Sequence, residues 1–312
     1  MEDRIKNILI NEYKLNVEKL NCLEGGYRTD ETYLIITNDK IKYVVKYIEY
    51  NHSVKYLQTI LEFENILHDL YKYPCPNIIH SNNKQLFIID NNRYLFIQTF
   101  IQGTELTKDI IEKKPIYLYK MGSLLAQLRM ASIDYSLNIH LNEEEQELTD
   151  QWWNKQNFNN IDKYLLSNII QCKEYISNLN LNLNFSRGII HNDFHINNSI
   201  ITNDDNIFII DFVDAYQSIF ICDLATSLFH LLIDDYYGEY QANIFLQGYQ
   251  QIYKLTLEEK KSLQIFVQFK LTMSLIEDLR HTENLNDPFI QSCFHLLNKL
   301  KNNSNLINNL LE

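Results

Sequence analysis

Five polar side chains lie close together in an otherwise apolar part of the sequence. His191, Asp193, His195 and Asn198 follow one short apolar run, and Asp211 follows a second apolar run at 207–210. An apolar hairpin has no need of such residues, so polar groups placed there must be paired with each other, with a metal ion or with substrate. The spacing predicts a loop whose side chains are held for chemistry by two flanking strands.

The surrounding sequence divides into two parts with different patterning. Apolar residues at helical spacing predict a helix in residues 4–20 and another in 54–72, which Pro74 and Pro76 end. Short apolar runs between turn residues predict five strands, at 20–25, 32–37, 41–48, 85–90 and 94–100. After Gly103 the pattern becomes helical, at about 115–132, 156–179, 218–236, 239–254, 257–280 and 287–310, with one β interruption at 189–212. This predicts an α+β lobe over residues 1–101 and a mainly helical lobe over 102–312.

The polar segment also resembles known sequences. The spacing H-x-D-x-x-x-x-N followed by D-F is similar to the catalytic and metal-binding loops of kinases. The fuller pattern, His191–Asn198 together with Asp211–Ala215, resembles the aminoglycoside phosphotransferase-like kinase family, which includes choline kinase, methylthioribose kinase and type II homoserine kinase. The resemblance implies a protein-kinase-like fold. Its N-lobe would be a five-stranded antiparallel sheet with one main helix, and its C-lobe would be mainly helical.

The resemblance implies a nucleotide site in the first lobe. Glycines let backbone amides approach phosphate oxygens, and a strand lysine paired with a helix glutamate grips the phosphates. Glu62 and Glu64 both fit the glutamate position, and the apolar residues that follow favour Glu64. The implied nucleotide-binding residues are Gly25, Gly26 and Arg28 in the phosphate loop, Lys46 and Glu64, and Gln98, Thr99, Phe100 and Ile101 in the adenine hinge. Taken alone, the glycines fit an ordinary hairpin turn equally well, and the lysine fits an edge strand.

The same resemblance implies roles in the second lobe. Asp193 would accept or orient the proton of the attacking hydroxyl, and Asn198 and Asp211 would hold Mg²⁺. Asp223 would brace the catalytic loop, and Asp214 fits either a second metal-side carboxylate or a plain hydrogen-bond acceptor. The expected donor is ATP, and the residues leave GTP open.

Three departures from the family pattern bear on details of the site. Asn192 stands where most relatives have glycine, and asparagine tolerates left-handed backbone angles better than most residues. Thr99 replaces a frequent acidic hinge residue, and Arg129 replaces a frequent histidine. None of these changes removes a charge-bearing catalytic atom.

The acceptor is expected to be a small molecule with a hydroxyl group: an aminoglycoside-like antibiotic, an amino alcohol, an amino acid such as homoserine, or a sugar. Glu143–Glu145 with Trp152 and Trp153 fit either a wall for a cationic substrate or a solvated turn beside core tryptophans. Asp234–Tyr237 fit an acceptor contact or a loop at a helix end. Two other classes stay open, a protein Ser/Thr kinase of the stress-kinase type and a non-catalytic nucleotide-binding pseudokinase.

The composition of the chain limits the classes of molecule that it is expected to bind. The net charge of −12 disfavours nucleic acid and weakly favours a cationic small molecule. The N-terminal residues do not resemble a signal peptide, no apolar run is long enough to span a bilayer, and the five cysteines are scattered. These features predict a cytoplasmic protein, monomeric or homodimeric, without a membrane or nucleic-acid partner.

Overall fold

The computed structural model describes residues 1–23, 31–49, 53–136, 147–233, 238–281 and 286–311. The chain forms two compact units, one of residues 1–104 with 200–210 and the other of residues 105–199 with 211–312. No helix within the described ranges is long and apolar enough to cross a membrane.

Strands and helices are mixed along the chain. The strands are β1 (Val17–Leu23), β2 (Glu31–Thr37), β3 (Lys42–Ile48), β4 (Ile78–Ile79), β5 (Ile88–Asp90), β6 (Arg93–Thr99), β7 (Thr104–Glu105), β8 (Arg187–Ile190), β9 (Ser199–Ile201), β10 (Ile207–Ile209) and β11 (Tyr216–Ile219). The helices are α1 (Glu2–Tyr13), α2 (Val54–Asp69), α3 (Lys108–Lys113), α4 (Ile116–Ser136), α5 (Asp150–Lys155), α6 (Lys163–Ser177), α7 (Leu181–Asn184), α8 (Phe220–Leu232), α9 (Gly238–Ile252), α10 (Leu257–His281), α11 (Pro288–Asn302) and α12 (Leu306–Leu311). The mixture confirms the α+β class.

The first unit is built on an antiparallel sheet of six strands. Its order is β1-β2-β3-β6-β4, with β5 also paired to β6. All five predicted strands are present, and the sixth is the two-residue strand β4, which is too short to show an alternating pattern. Residues of α1, such as Ile5 and Leu9, pack on one face of the sheet together with Val45 and Ile97. That apolar cluster fixes the register of β3 and β6, because a shift by one residue would turn these side chains to the other face.

Both helices of this unit end earlier than the sequence predicts. The predicted helix 4–20 ends at Tyr13, because Lys14 adopts left-handed angles (φ 55°) and the amide of Leu15 turns back to the Leu9 carbonyl. The residues after the turn form β1 instead. The predicted helix 54–72 ends at Asp69, before the two prolines, and begins where the Ser53 hydroxyl accepts a hydrogen bond from the Tyr56 amide.

Helix boundaries in the second unit also differ from those that the sequence predicts. The predicted helix 156–179 begins only at Lys163, where the Asp162 carboxylate caps the amides of Tyr164 and Leu165. The predicted helix 287–310 is two helices, α11 and α12, separated at Asn303 by extended backbone. The short helices α3, α5 and α7 are additions, since a segment of four to six residues carries too little periodicity to be recognised.

Two glycines allow α4 and α9 to approach backbone to backbone. A Cβ on Gly122 would lie 1.9 Å from the Phe245 carbonyl oxygen, and one on Gly248 would lie 1.9 Å from the Tyr119 oxygen. The Ser123 hydroxyl donates to the Gly248 carbonyl at 3.0 Å across the same contact. The close packing of α4 against α9 therefore requires glycine at both positions.

The second unit contains a two-stranded ribbon. Strands β8 and β11 run antiparallel, with Ile190 opposite Tyr216 and Arg187 opposite Ile219. This register brings the residues after β8 and the residues before β11 to the same end of the ribbon. The polar segments at 191–198 and 211–215 therefore meet there.

Candidate active site

A buried carboxylate holds the first turn of the polar loop. Asp223 on α8 accepts hydrogen bonds from the backbone amides of His191 and Asn192, each at 2.9 Å. Burial raises the pKa of Asp223 above its usual range, and the two amides with the His191 charge only partly offset that effect. The predicted bracing contact is present in the structure as two hydrogen bonds to one carboxylate.

Asn192 takes the left-handed conformation that its residue type suggested. Its φ is 68°, in the region where glycine is unstrained and asparagine is better tolerated than most residues. The turn directs the next residue, Asp193, away from the buried ribbon, and about 40% of the Asp193 side chain is exposed.

Both carboxylate oxygens of Asp193 are held by neighbouring residues of the loop. The Asn198 amide nitrogen donates to Asp193 Oδ2 at 2.7 Å and to the Asp193 carbonyl at 2.9 Å. His195 Nε2 lies 3.3 Å from Asp193 Oδ1. The carboxylate is thus fixed in orientation while one side of it remains accessible to solvent.

These contacts also determine the ionisation of Asp193. Burial acts to raise the pKa of this carboxyl. The hydrogen bond from His195, with smaller electrostatic contributions from His195, His191 and His230, outweighs burial and holds the pKa of Asp193 well below its ordinary value. Asp193 is therefore ionised throughout the neutral range, as an acceptor that orients a hydroxyl group must be.

The tautomer of His195 follows from its two neighbours. Its Nδ1 accepts a hydrogen bond from the Asn197 amide at 3.2 Å, so the proton of the neutral ring lies on Nε2, facing Asp193. Asp193, His195 and His230 are close enough to share a metal ion. Because Nε2 carries the proton that Asp193 accepts, the geometry favours a hydrogen-bonded group over a metal centre.

His230 on α8 supports the outer side of this group. Its ring stacks on the Phe229 ring at 4.1 Å and lies 4.5 Å from the His195 ring. Burial, with the nearby His195 charge, lowers the pKa of His230 to about 3, while Asp193 opposes the shift. His230 is therefore neutral at pH 7.

Asp211 lies at the same end of the ribbon as the loop. Its backbone is left-handed, with φ 68° and ψ 66°, at the start of a short 3-10 turn over Phe212–Asp214. The Phe212 ring packs 4.6 Å from the His191 ring, which connects the Asp211 segment to the loop. A left-handed non-glycine residue costs of the order of 1 kcal/mol, and such strain persists where the surrounding structure enforces it.

The oxygen atoms of Asn198 and Asp211 are suitable ligands for a magnesium ion. Asn198 turns its amide nitrogen toward Asp193, so its Oδ1 is the atom that can serve as a ligand. A carboxylate at Asp211 adds oxygen ligands of the kind that Mg²⁺ prefers. Asp214, two residues from the ribbon, is partly buried in the same 3-10 turn, which leaves both of its predicted roles open.

Two buried charged residues, Lys270 and Glu147, lie beside the loop without any signal in the sequence. The ammonium group of Lys270, on α10, lies 2.7 Å from Asn192 Oδ1 and 3.2 Å from Glu147 Oε1. No local pattern could have revealed this group, because its members are 78 and 123 residues apart in the chain.

In the first unit, two predicted nucleotide residues share one face of the sheet, and a third lies on α2. Lys46 is opposite Phe96, and Gln98 is opposite Val44, so Lys46 and Gln98 project to the face away from the Val45 cluster. The Gln98 amide donates to the Glu64 carboxylate at 2.5 Å, and both side chains are buried. Glu62, the alternative to Glu64, is only partly buried and accepts from Gln58 at 2.8 Å.

The predicted hinge consists of the last two residues of β6, which ends at Thr99, and the two residues that follow. The Thr99 hydroxyl and backbone amide both bond the Asn77 backbone at 2.9 Å. Lys42 Nζ lies 5.1 Å from the centre of the Phe100 ring, and Ile101 is partly buried. Gly25, Gly26 and Arg28 lie outside the described residues, as do the segments Glu143–Glu145 and Asp234–Tyr237.

The two tryptophans lie within the described part of the second unit. Trp153 is buried, Trp152 is partly buried, and both rings contact Phe269 edge to face at 5.6 and 6.0 Å. The pair is thus part of the packing between α5 and α10.

The sequence matches a known protein family over most of its length. The model described as "Phosphotransferase enzyme family" matches residues 20–260, which include every predicted site residue. The chain belongs to this family. The predicted resemblance to aminoglycoside phosphotransferase-like kinases is confirmed, and so is the expectation of a kinase. A comparison with curated protein sequences gives no match.

Solved structures of kinases share the fold. The amicoumacin kinase hAmiN, in complex with AMP-PNP and Ca²⁺, superposes with a TM-score of 0.75 at 14% identity, over 99% of this chain and 93% of that one. A microcompartment-associated aminopropanol kinase gives 0.71 at 16% identity, over 93% of each chain. Choline kinase LicA from Streptococcus pneumoniae gives 0.66 at 16%, over 97% of this chain and 99% of that one. The protein-kinase-like fold is thereby confirmed.

Proposed function

We propose that this phosphotransferase moves the γ-phosphoryl group of ATP to a hydroxyl group of a small molecule, with Mg²⁺ as cofactor. The observation that carries the proposal is the geometry of Asp193, whose two carboxylate oxygens are held by His195 and by Asn198. The same amide contact orients Asn198 Oδ1 as a cation ligand. One loop thereby supplies an acceptor for the hydroxyl proton and part of a magnesium site.

The residues would divide the work between the two reacting groups. Asp193 accepts a hydrogen bond from the acceptor hydroxyl and aligns its oxygen with the γ-phosphorus. A bond then forms between that oxygen and phosphorus while the bond from phosphorus to the β–γ bridging oxygen breaks. ADP is the leaving group, and the hydroxyl proton passes by way of the Asp193 carboxylate to solvent. The strongly lowered pKa of Asp193 suits orientation better than long-term storage of the proton. Asn198 and Asp211 would hold Mg²⁺, which neutralises charge on the phosphates.

We assign the nucleotide to residues of the first lobe, 1–101. Lys46 grips the phosphates, and Glu64, kept in place by Gln98, is the favoured partner of that lysine. Gly25, Gly26 and Arg28 form the phosphate loop, and Gln98 to Ile101 form the hinge. Gln98 contributes through Glu64, since its amide nitrogen already donates to that carboxylate.

We propose an amine-bearing alcohol as the acceptor. Two observations support this class: the net charge of −12, and the names of the structural neighbours, which include an aminopropanol kinase and a choline kinase. The acceptor class includes amino alcohols, aminoglycoside-like antibiotics and hydroxy amino acids such as homoserine, and it excludes simple sugars.

The test is a coupled measurement of ADP release with Mg²⁺ and either ATP or GTP. The acceptor panel contains amino alcohols, aminoglycosides, homoserine, neutral sugars and a serine-containing protein such as casein. Stimulation by an amine-bearing alcohol and not by its uncharged analogue supports the proposal. Stimulation by casein alone identifies a protein kinase, and binding of nucleotide without any turnover identifies a pseudokinase.

A further inference from the structure

A buried lysine contacts the catalytic loop from outside the sequence motif. Lys270 is a residue of α10, and only 9% of its side chain is exposed. Its ammonium group donates to Asn192 Oδ1 at 2.7 Å and pairs with Glu147 Oε1 at 3.2 Å. Burial acts to lower the pKa of Lys270, but Glu147 and the neighbouring Cys222 and Asp223 outweigh it, so the pKa lies above its ordinary value. The lysine is therefore charged.

Asn192 is held from two directions. Its backbone amide donates to Asp223 Oδ1 at 2.9 Å, and its side-chain oxygen accepts from Lys270. Its φ of 68° is a conformation in which glycine has no strain. Backbone geometry alone therefore gives no reason for a side chain here. The contact with Lys270 gives a reason for an asparagine side chain at this position. Asn192, which Lys270 holds, directly precedes Asp193.

We propose that Lys270 is a positioning residue for phosphoryl transfer, which acts on Asp193 through the side chain of Asn192. Glu147 balances the charge of the lysine inside the protein, because a buried unpaired ammonium group would be strongly destabilising. Two hydrogen bonds from different helices, from Lys270 on α10 and to Asp223 on α8, then fix the turn that aims Asp193. The inference rests on the proposed function, since Asp193 is taken as the residue that orients the hydroxyl.

The decisive comparison is Asn192→Gly against Asn192→Ala. Glycine keeps the left-handed turn and removes only the contact with Lys270, whereas alanine removes the contact and adds backbone strain. With saturating Mg·ATP and water as acceptor, both variants are expected to release ADP with kcat about tenfold or more below the wild type, because small misplacements of a reacting group are costly. The KM for ATP stays within about twofold, since Asn192 carries no nucleotide contact in the proposal. Tm falls in both variants because the buried Lys270 loses an acceptor, and it falls further in the alanine variant because of the added backbone strain. Wild-type kcat in Asn192→Gly would overturn the inference.

A second variant approaches the same contact from the lysine. Lys270→Met with Glu147→Gln removes both buried charges together, and replacing a buried ion pair in this way is often neutral for stability. The double variant is expected to keep its Tm and to show the same loss of kcat as Asn192→Gly. Adding Asn192→Gly to it should cause no further loss, because the contact is already absent. A full additional loss in the triple variant would show that the two sites act separately and would contradict the proposal.

Hydrogen exchange keeps this inference separate from the proposed function. In the full-length protein without nucleotide, a peptide covering residues 188–198 is expected to exchange about tenfold faster in Asn192→Gly than in the wild type. Unchanged exchange would refute the role of Lys270, whether or not ATP is turned over. If Asn192→Gly exchanges faster but the wild type releases no ADP, the contact with Lys270 still determines the position of the loop. The assigned reaction is then rejected.

Discussion

Replacement of Asp223 by asparagine tests how much of the site depends on one buried carboxylate. In the wild type, its two oxygens accept the amides of His191 and Asn192, each at 2.9 Å. Asparagine has nearly the same shape but offers one oxygen and one NH₂ group. One backbone amide therefore loses its acceptor and faces a donor instead, directly before Asp193 in the chain.

The expected loss of stability is small compared with the loss of activity. Hydrogen bonds to a charged acceptor contribute about 1.5–3 kcal/mol each, and one of the two is lost. The raised pKa of Asp223 shows that its buried charge is itself unfavourable, so neutralising it returns part of that energy. We expect a net decrease of about 2 kcal/mol or less in the free energy of unfolding and a decrease of a few degrees in Tm. A shift of about 1 Å at Asp193 would lower kcat by about a hundredfold.

Urea denaturation and ADP release measured on the same preparation provide both quantities. Asp223→Glu serves as the control that keeps the charge but moves it by one methylene. The reasoning is refuted if Asp223→Asn retains wild-type kcat, because the loop would then hold its position without the second hydrogen bond. It is also refuted if the loss of activity is explained by unfolding at the assay temperature.

Three further predictions concern contacts around the site. Arg129→Met should lower the free energy of unfolding by about 3–5 kcal/mol, because the buried Glu259 carboxylate, 2.6 Å from the guanidinium, loses its ion-pair partner. Adding Glu259→Gln should restore part of the loss in urea titrations. Full additivity of the two substitutions would contradict this account. Gln98→Ala should cost about 1–3 kcal/mol in the same titrations, because the buried Glu64 loses a donor, and an unchanged midpoint would count against that contact. His230 has a folded-state pKa of about 3, below its value in the unfolded chain, so the unfolded state takes up the proton first and the free energy of unfolding falls as the pH drops below about 6.5. Its contribution is at most about 2 kcal/mol at pH 5, measured as the difference in pH dependence between the wild type and His230→Gln, and identical profiles would contradict the assignment.

The sequence predicted those parts of the molecule that depend on local chemistry. The loop residues Asp193 and Asn198 lie in contact because a short polar segment between two strands has few places to put its side chains. The left-handed angle at Asn192 followed from the residue type. Long helices such as α8 and α10 were predicted because their apolar residues repeat over several turns.

Other features depend on contacts that no window of sequence contains. Neither glycine nor proline marks the end of α1 at Tyr13. The helix ends there because Lys14 adopts left-handed backbone angles. The strand β4 has two residues and exists only because β6 lies beside it. Lys270 is distant in the chain from both residues that it contacts, and its surroundings on α10 give no sign of a buried charge. Helical spacing accounts for Lys270 as well as for any exposed residue of α10, so the sequence predicts only an ordinary helix there.

Direct transfer of the γ-phosphoryl group tests the proposed reaction best. The measurement uses γ-labelled ATP with Mg²⁺, the panel of amine-bearing alcohols, and matched preparations of the wild type, Asp193→Asn and Asp211→Asn. We predict label on the hydroxyl group of one acceptor in the wild type. For Asp193→Asn, we predict a loss of about a thousandfold in rate with little change in nucleotide affinity. For Asp211→Asn, we predict a comparable loss that higher Mg²⁺ concentrations partly restore. Wild-type transfer by Asp193→Asn, or transfer that does not require a divalent cation, would contradict the account.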